Sequence, residues 1–402
     1  MTPSIIAPLS ARLLSLSIPL LLTALLLTPA VHASPYLPAS GDLIIEVLPK
    51  GGTSKQLERL RVALRARPQD VALATNLAQR YIALARSDTD PRYLGYAQAA
   101  LQPWWQLPAP PVQVRILRAT LLQSTHHFEA ALKDLDAIVA LEPGHAQAWL
   151  TRATVLTVRG EYAAARASCA RLSSLASELI SITCISSIGS LSGRAAISEK
   201  MLDVTLQRSS ADPEMQVWVL TLLGEMAARR GAANVAEERY RRALALAPND
   251  SYLLGAYADL LLDLQRPDDV ITLVKNQSRI DALLLRHALA LQQIPGSSSL
   301  LAPMEKELRE RFNAAMQRGD TVHQREQARF ELHLHHDPKI ALALAQKNWA
   351  VQKEPADVRI MLEAALKAGD NAAAKPVLDW IKTNSLEDVA VSKLAQQLKA
   401  GS

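Results

Sequence analysis

Several features are scarce or missing in this chain of 402 residues. Cysteine occurs only at positions 169 and 184, so one internal bridge at most is available. Alternating apolar and polar runs are nearly absent, which argues against a β fold. Glycine, at 15 residues, is not enriched, and no long polar or low-complexity tract appears. Apolar residues make up 49% of the sequence, too many for a disordered chain. There is no glycine-rich phosphate loop, no nucleophile elbow and no zinc-protease helix motif. No basic run is interleaved with aromatics, so nucleic acid is not an expected partner. Blocks such as Arg229-Arg230 and Arg241-Arg242 read as solvated helix faces. Nothing beyond the first 33 residues is long and apolar enough to span a membrane.

What is present is a pattern repeating at about 34 residues. One copy is nearly whole: Leu223, Gly224, Ala227, Gly231, Ala236, Tyr240, Ala243 and Pro248. Leu220, Leu223 and Ala227 share one face of a helix. Gly231 ends that helix and supports a turn. Ala236, Tyr240 and Ala243 line a second helix, with Ala236 expected against the gap at Gly224. Pro248 stops the second helix. Weaker copies include Trp149, Ala153, Leu156, Gly160, Tyr162, Ala165 and Cys169, and Met361, Leu362, Ala365, Gly369, Ala374 and Leu378. The predicted fold is all-α, a right-handed α-solenoid of stacked helix–turn–helix units. About seven units fit between residues 70 and 383. The stretch from Asp281 to Asp337 fits worst and is expected to carry longer helices. A capping helix is predicted at 54–69, and another at 384–402 opened by Ser385 and Asp388.

These motifs resemble the tetratricopeptide repeat superfamily. The segments Asp90 to Leu101 with Trp104-Trp105, and Asn348 to Asp357, look like parts of exported bacterial members for which no activity is established. The resemblance covers about four fifths of the chain and implies packing and partner binding, not chemistry. Co-chaperone members grip a terminal carboxylate with Lys, Arg and Asn from successive first helices. Here those positions hold Asn76, Leu117, Thr151 and Leu222, so that clamp is not carried over.

Residues 1–33 read as a secretory leader. Arg12 precedes an apolar run from Leu13 to Leu27, and Val31 and Ala33 suit a cleavage site after Ala33. Losing Arg12 takes the formal net charge from +5 to +4. The mature chain is expected to be exported, and periplasmic if the cell is Gram-negative. Residues 34–53 form a linker with a short β-like run from Leu43 to Val47.

In this register the concave face presents Gln79, Thr120, Thr154, Glu225, Asp259 and Glu363, a polar row that turns acidic toward the C-terminus. We read the chain as a non-enzymatic scaffold that binds a protein or peptide there, with no cofactor and an oligomeric state left open. The alternative is a metal-binding accessory protein using Glu331, His333, His335, His336 and Asp337, since Glu331 and His335 lie one turn apart. The plainer reading of that cluster is a helix end carrying histidines. Trp104 and Trp105 read as loop packing or as a platform. Cys169 falls on a second-helix inner stripe. Cys184, on the next first helix, faces the groove in this register. That favours two buried thiols over a bridge.

Overall fold

Alanine- and leucine-rich segments with apolar residues every three to four positions have one way to bury that stripe, which is against a neighbouring helix. The computed structural model describes residues 52–400 except 88, 321 and 323. The leader, its cleavage point and the Leu43–Val47 run lie outside the described residues. Among those described there is no strand.

Helix α1 (Gly52–Ala66) precedes nine helix pairs. They are α2 (Val71–Ser87) with α3 (Arg92–Ala100) and its short continuation α4 (Gln102–Trp105), α5 (Val112–Ser124) with α6 (Phe128–Leu141), and α7 (Ala146–Val158) with α8 (Tyr162–Leu172). Next come α9 (Glu178–Gly189) with α10 (Ala195–Arg208), α11 (Pro213–Arg229) with α12 (Ala233–Leu246), and α13 (Ser251–Asp263) with α14 (Pro267–Val274). The last three are α15 (Asp281–Gln292) with α16 (Ser298–Gln317), α17 (Gln324–His333) with α18 (Pro338–Val351), and α19 (Pro355–Ala368) with α20 (Asn371–Asn384). Helix α21 (Val389–Ala400) follows, its first turn capped by Asp388. The two pairs beyond the sequence count are α15/α16 and α17/α18, where the pattern is faintest. Helix α16, at 20 residues, is the longest described.

The turn inside four of the pairs has a common construction. Gly160, Gly193, Gly231 and Gly369 all have positive φ. The amide of the residue after each donates to a carbonyl five residues back: Glu161 to Leu156, Arg194 to Gly189, Ala232 to Ala227 and Asp370 to Ala365. This is the glycine-capped helix end of the Schellman type. Glycine permits a close approach between the helices of a pair. A β-carbon on Gly224 would lie 2.5 Å from the buried Tyr240 ring. The tight partner of Gly224 is therefore Tyr240, not Ala236 as the spacing suggested.

Cys169 and Cys184 are joined in a disulfide, with their α-carbons 5.6 Å apart. This corrects the expectation of two separate thiols. A first helix has one face toward the groove and another toward the preceding second helix. Cys184 lies on the latter, and the Ser181 hydroxyl donates to Leu172 O across the same contact at 3.0 Å.

Sequence-distant pairs also share a core. Leu156, Tyr162, Leu172 and Ile188 lie in one apolar cluster with Val358, Met361, Val377, Val391 and Leu398. Polar contacts reinforce it. The Lys353 amide donates to Val158 O at 2.7 Å, and the Ala195 amide to Glu387 Oε2 at 3.0 Å.

Candidate functional site

The polar row does not behave as one surface. Gln79 and Thr154 are exposed and Thr120 is half-buried. Both threonine hydroxyls donate to carbonyls one turn back, Thr120 to Ile116 O at 2.9 Å and Thr154 to Leu150 O at 3.1 Å. The three acids are half-buried and already partnered. Glu225 accepts from the Tyr252 hydroxyl at 2.6 Å. Asp259 pairs with Arg286 at 2.5 Å and Arg329 at 3.0 Å. Glu363 pairs with Arg359 at 2.7 Å and sits 3.0 Å from His333 Nε2.

These pairs tie distant helices together. Arg329 of α17 reaches Asp259 of α13, and Arg359 of α19 grips both oxygens of Asp263, also on α13, at 2.7 Å. Arg325 of α17 meets Glu354 at 2.9 Å, and Asp357 of α19 at 3.4 Å. Asp357 is buried and satisfied by the amides of Asn348 and Gln352 and by the Glu354 main-chain amide. The acid end of the row is thus an internal ion-pair ladder across α13, α15, α17 and α19, joined to α11 by the Glu225–Tyr252 hydrogen bond.

The electrostatics differ along the ladder. Desolvation pushes the Glu225 carboxyl up, only partly offset by Arg229. Desolvation also opposes ionisation of Asp259, yet Arg286 and Arg329 outweigh it and hold the group well below the usual carboxylate range. At Glu363 desolvation is outweighed by the His333 hydrogen bond and the Arg359 charge, which bring it down to about 2. The arginines that neutralise the acids had no place in the sequence reading. One signal was available: Arg359 and Glu363 stand four apart on one helix face.

At the other end, α2 and α5 leave an open cleft of about 570 Å³ lined by Val71, Ala72, Thr75, Asn76, Gln79 and Gln113. Its polar groups are uncharged, and Asn76 is partly engaged by Arg80 at 3.0 Å.

The histidine cluster is split among separate tasks. His335 Nδ1 lies 2.7 Å from Glu331, while His333 turns to Glu363 on α19. His336 has φ of 57° and forms the turn, and Asp337 caps α18 through the amides of Lys339 and Ile340. Among the described residues no group of three or more His, Cys, Asp or Glu could hold a metal ion. Trp104 is buried and Trp105 half-buried. The Trp105 carbonyl is held by Arg118 at 2.6 Å. No described helix is long and apolar enough to cross a membrane.

Paired helices with glycine-capped turns recurring along the chain define a helical-repeat protein. A family model described as tetratricopeptide repeat matches residues 193–316. That segment, about a third of the chain, is similar to tetratricopeptide repeats. Similar solved structures include human IFIT1 in a dimer with m7Gppp-AAAA, at 15% identity and TM-score 0.42, covering 87% of this chain and 86% of that one. A tetratricopeptide repeat protein from Parabacteroides merdae is 12% identical with TM-score 0.33, covering 80% and 98%. The Cut9–Hcn1 assembly of APC/C gives 12% identity and TM-score 0.39 over 78% of this chain, which spans about half (52%) of the matched one. None of these scores reaches 0.5, and no function is transferred from them. No curated protein matches the chain.

Proposed function

We propose that this chain is an exported scaffold that binds a protein or peptide on the concave face of its first repeats. The observation that carries this reading is the contrast between the two ends of the polar row. Asp259 and Glu363 have their charges met by arginines and Glu225 is hydrogen-bonded to Tyr252, whereas the cleft over α2 and α5 stays open with Gln79 and Gln113 exposed. Uncharged amides beside Val71 and Ala72 suit an extended segment that offers main-chain groups and small apolar side chains. The binding energy should come from a few anchors there. Export is supported by the leader pattern and by the disulfide, which belongs in an oxidising compartment.

Site-specific photo-crosslinking in the producing cell tests the surface. A crosslinker at Gln79 or Gln113 should capture a discrete partner, and one at the exposed Glu238 of α12 should not. Capture at Glu238 alone would move the interface off the concave face. N-terminal sequencing of the envelope form should begin near Ser34. A cytoplasmic protein still starting at Met1 would remove the export part of the reading.

A further inference from the structure

Arg115 opens a second site, independent of the concave face. It is only 5% exposed, and its Nε is buried with no hydrogen-bond partner. No carboxylate meets it among the described residues. A buried unpaired charge is costly and is ordinarily neutralised by a neighbour. Asp134, the acid that lines the same cleft as Arg115, cannot serve because it is spent. Arg118 takes both its oxygens at 2.7 Å.

The surroundings form a built cleft. Arg115, Arg118 and Leu122 stand three and four residues apart and share one face of α5, while Thr120 of the polar row lies on the opposite face. Ala130, Lys133, Asp134 and Ala137 give the matching stripe on α6. Trp105 and Pro108 wall the third side, in a cleft of about 270 Å³. Arg118 fixes that wall by donating to the carbonyls of Trp105 at 2.6 Å and Leu107 at 2.9 Å. With Arg118 and Asp134 cancelling each other, one buried cation remains at the floor and the exposed Lys133 at the rim.

We propose that this cleft binds a small free carboxylate carrying a planar apolar body. The anion meets the Arg115 guanidinium, whose planar fork matches a carboxylate, and the apolar body lies against the Trp105 indole and Pro108. One free guanidinium at the floor matches one negative charge, which favours a monoanion over a phosphate dianion. The volume is below the roughly 300–1,000 Å³ of sites for drug-sized ligands, so the ligand is of benzoate size.

Calorimetric titration of the full chain with benzoate, benzamide, inorganic phosphate and the acetylated tripeptide Gly-Gly-Phe tests this. Benzoate should bind, with benzamide and phosphate about tenfold weaker or worse. Arg115→Met should lose benzoate binding by a similar factor while melting no lower than the parent, because it removes an unpaired buried charge. Trp105→Leu, which leaves the Arg118 contacts to main-chain oxygens in place, should also weaken benzoate. Equal binding of benzamide or phosphate would overturn the proposal. So would unchanged benzoate binding in both variants, or a lowered melting point in Arg115→Met. Tighter binding of the tripeptide than of benzoate would reassign the site to a chain terminus.

Discussion

His126, Gln265 and His336 adopt φ values of 59°, 56° and 57°, the left-handed conformation that glycine holds in other pairs at Gly160, Gly231 and Gly369. The hydrogen bonds around two of them match as well. The His127 amide donates to Leu122 O and the Arg266 amide to Leu261 O, five residues back in each case. A residue with a β-carbon there costs about 1–2 kcal/mol, while glycine loses about 0.5–1 kcal/mol of unfolded-state freedom. His336→Gly should therefore raise stability by roughly 0.5–1 kcal/mol, read by denaturant unfolding. A loss would mean that the imidazole makes a contact worth more than the strain. This also explains why the histidine run reads as chemistry in the sequence: one member is a turn residue. Gly224 makes the opposite case. An added methyl would sit 2.5 Å from Tyr240, which is almost fully buried and has nowhere to go. Gly224→Ala should cost about 1–3 kcal/mol, and Tyr240→Leu in the same chain should cost less than the two changes summed. Additive losses would show that the ring is free to shift.

At the scale of helices, the ladder makes the first helices of distant pairs act as one polar layer. Its pH dependence follows from Glu363, whose folded value of about 2 lies below the ordinary 4.5. A depressed carboxylate contributes stability that is fully present above the unfolded value and is lost as pH falls toward the folded one. That stabilisation should therefore disappear between about pH 4.5 and pH 2. Glu363→Gln should melt lower than the parent at pH 7, by about 1–3 kcal/mol after allowing for its partial exposure. The two melting curves should converge near pH 2. A constant difference across that range would mean that the Arg359 and His333 contacts contribute little. The burial-raised Glu225 works in the reverse sense, since its ionised form is disfavoured by folding. The acid ladder is thus not uniformly stabilising, and Glu225→Gln should be tolerated at neutral pH far better than Glu363→Gln.

For the whole molecule, the departure from a one-dimensional stack is the informative feature. In a simple solenoid each repeat touches only its neighbours. Here the C-terminal segment meets three successive turns at their glycines. Trp380 and Lys353 lie beside Gly160, Ser385 beside Gly193 and Val389 beside Gly231. Trp380 also packs edge-on to Tyr162, with ring centroids 5.7 Å apart. The repeat class was legible because Gly160, Gly231 and Gly369 mark turns whose hydrogen bonds are local. The pair α17/α18 was harder to read, since His336 stands where glycine would announce the turn, as Gln265 does in α13/α14. The ladder and the C-terminal docking were not legible. Arg359 and Asp263 are 96 residues apart, and nothing in helical periodicity brings them together. Likewise, the concave row could be listed from its register, but not which of its acids an arginine would neutralise. The contact pattern makes a sharp expectation. A chain ending at Asp370 loses α20 and α21, and a nearest-neighbour stack would loosen only at α19. Hydrogen exchange should instead rise at the turns around Gly160, Gly193 and Gly231, while α2 and α5 stay protected. Trp380→Ala, a milder change, should raise exchange at the Gly160 turn. If exchange changes only in α19 for the first variant and nowhere for the second, the C-terminal segment rests on those turns without stabilising them.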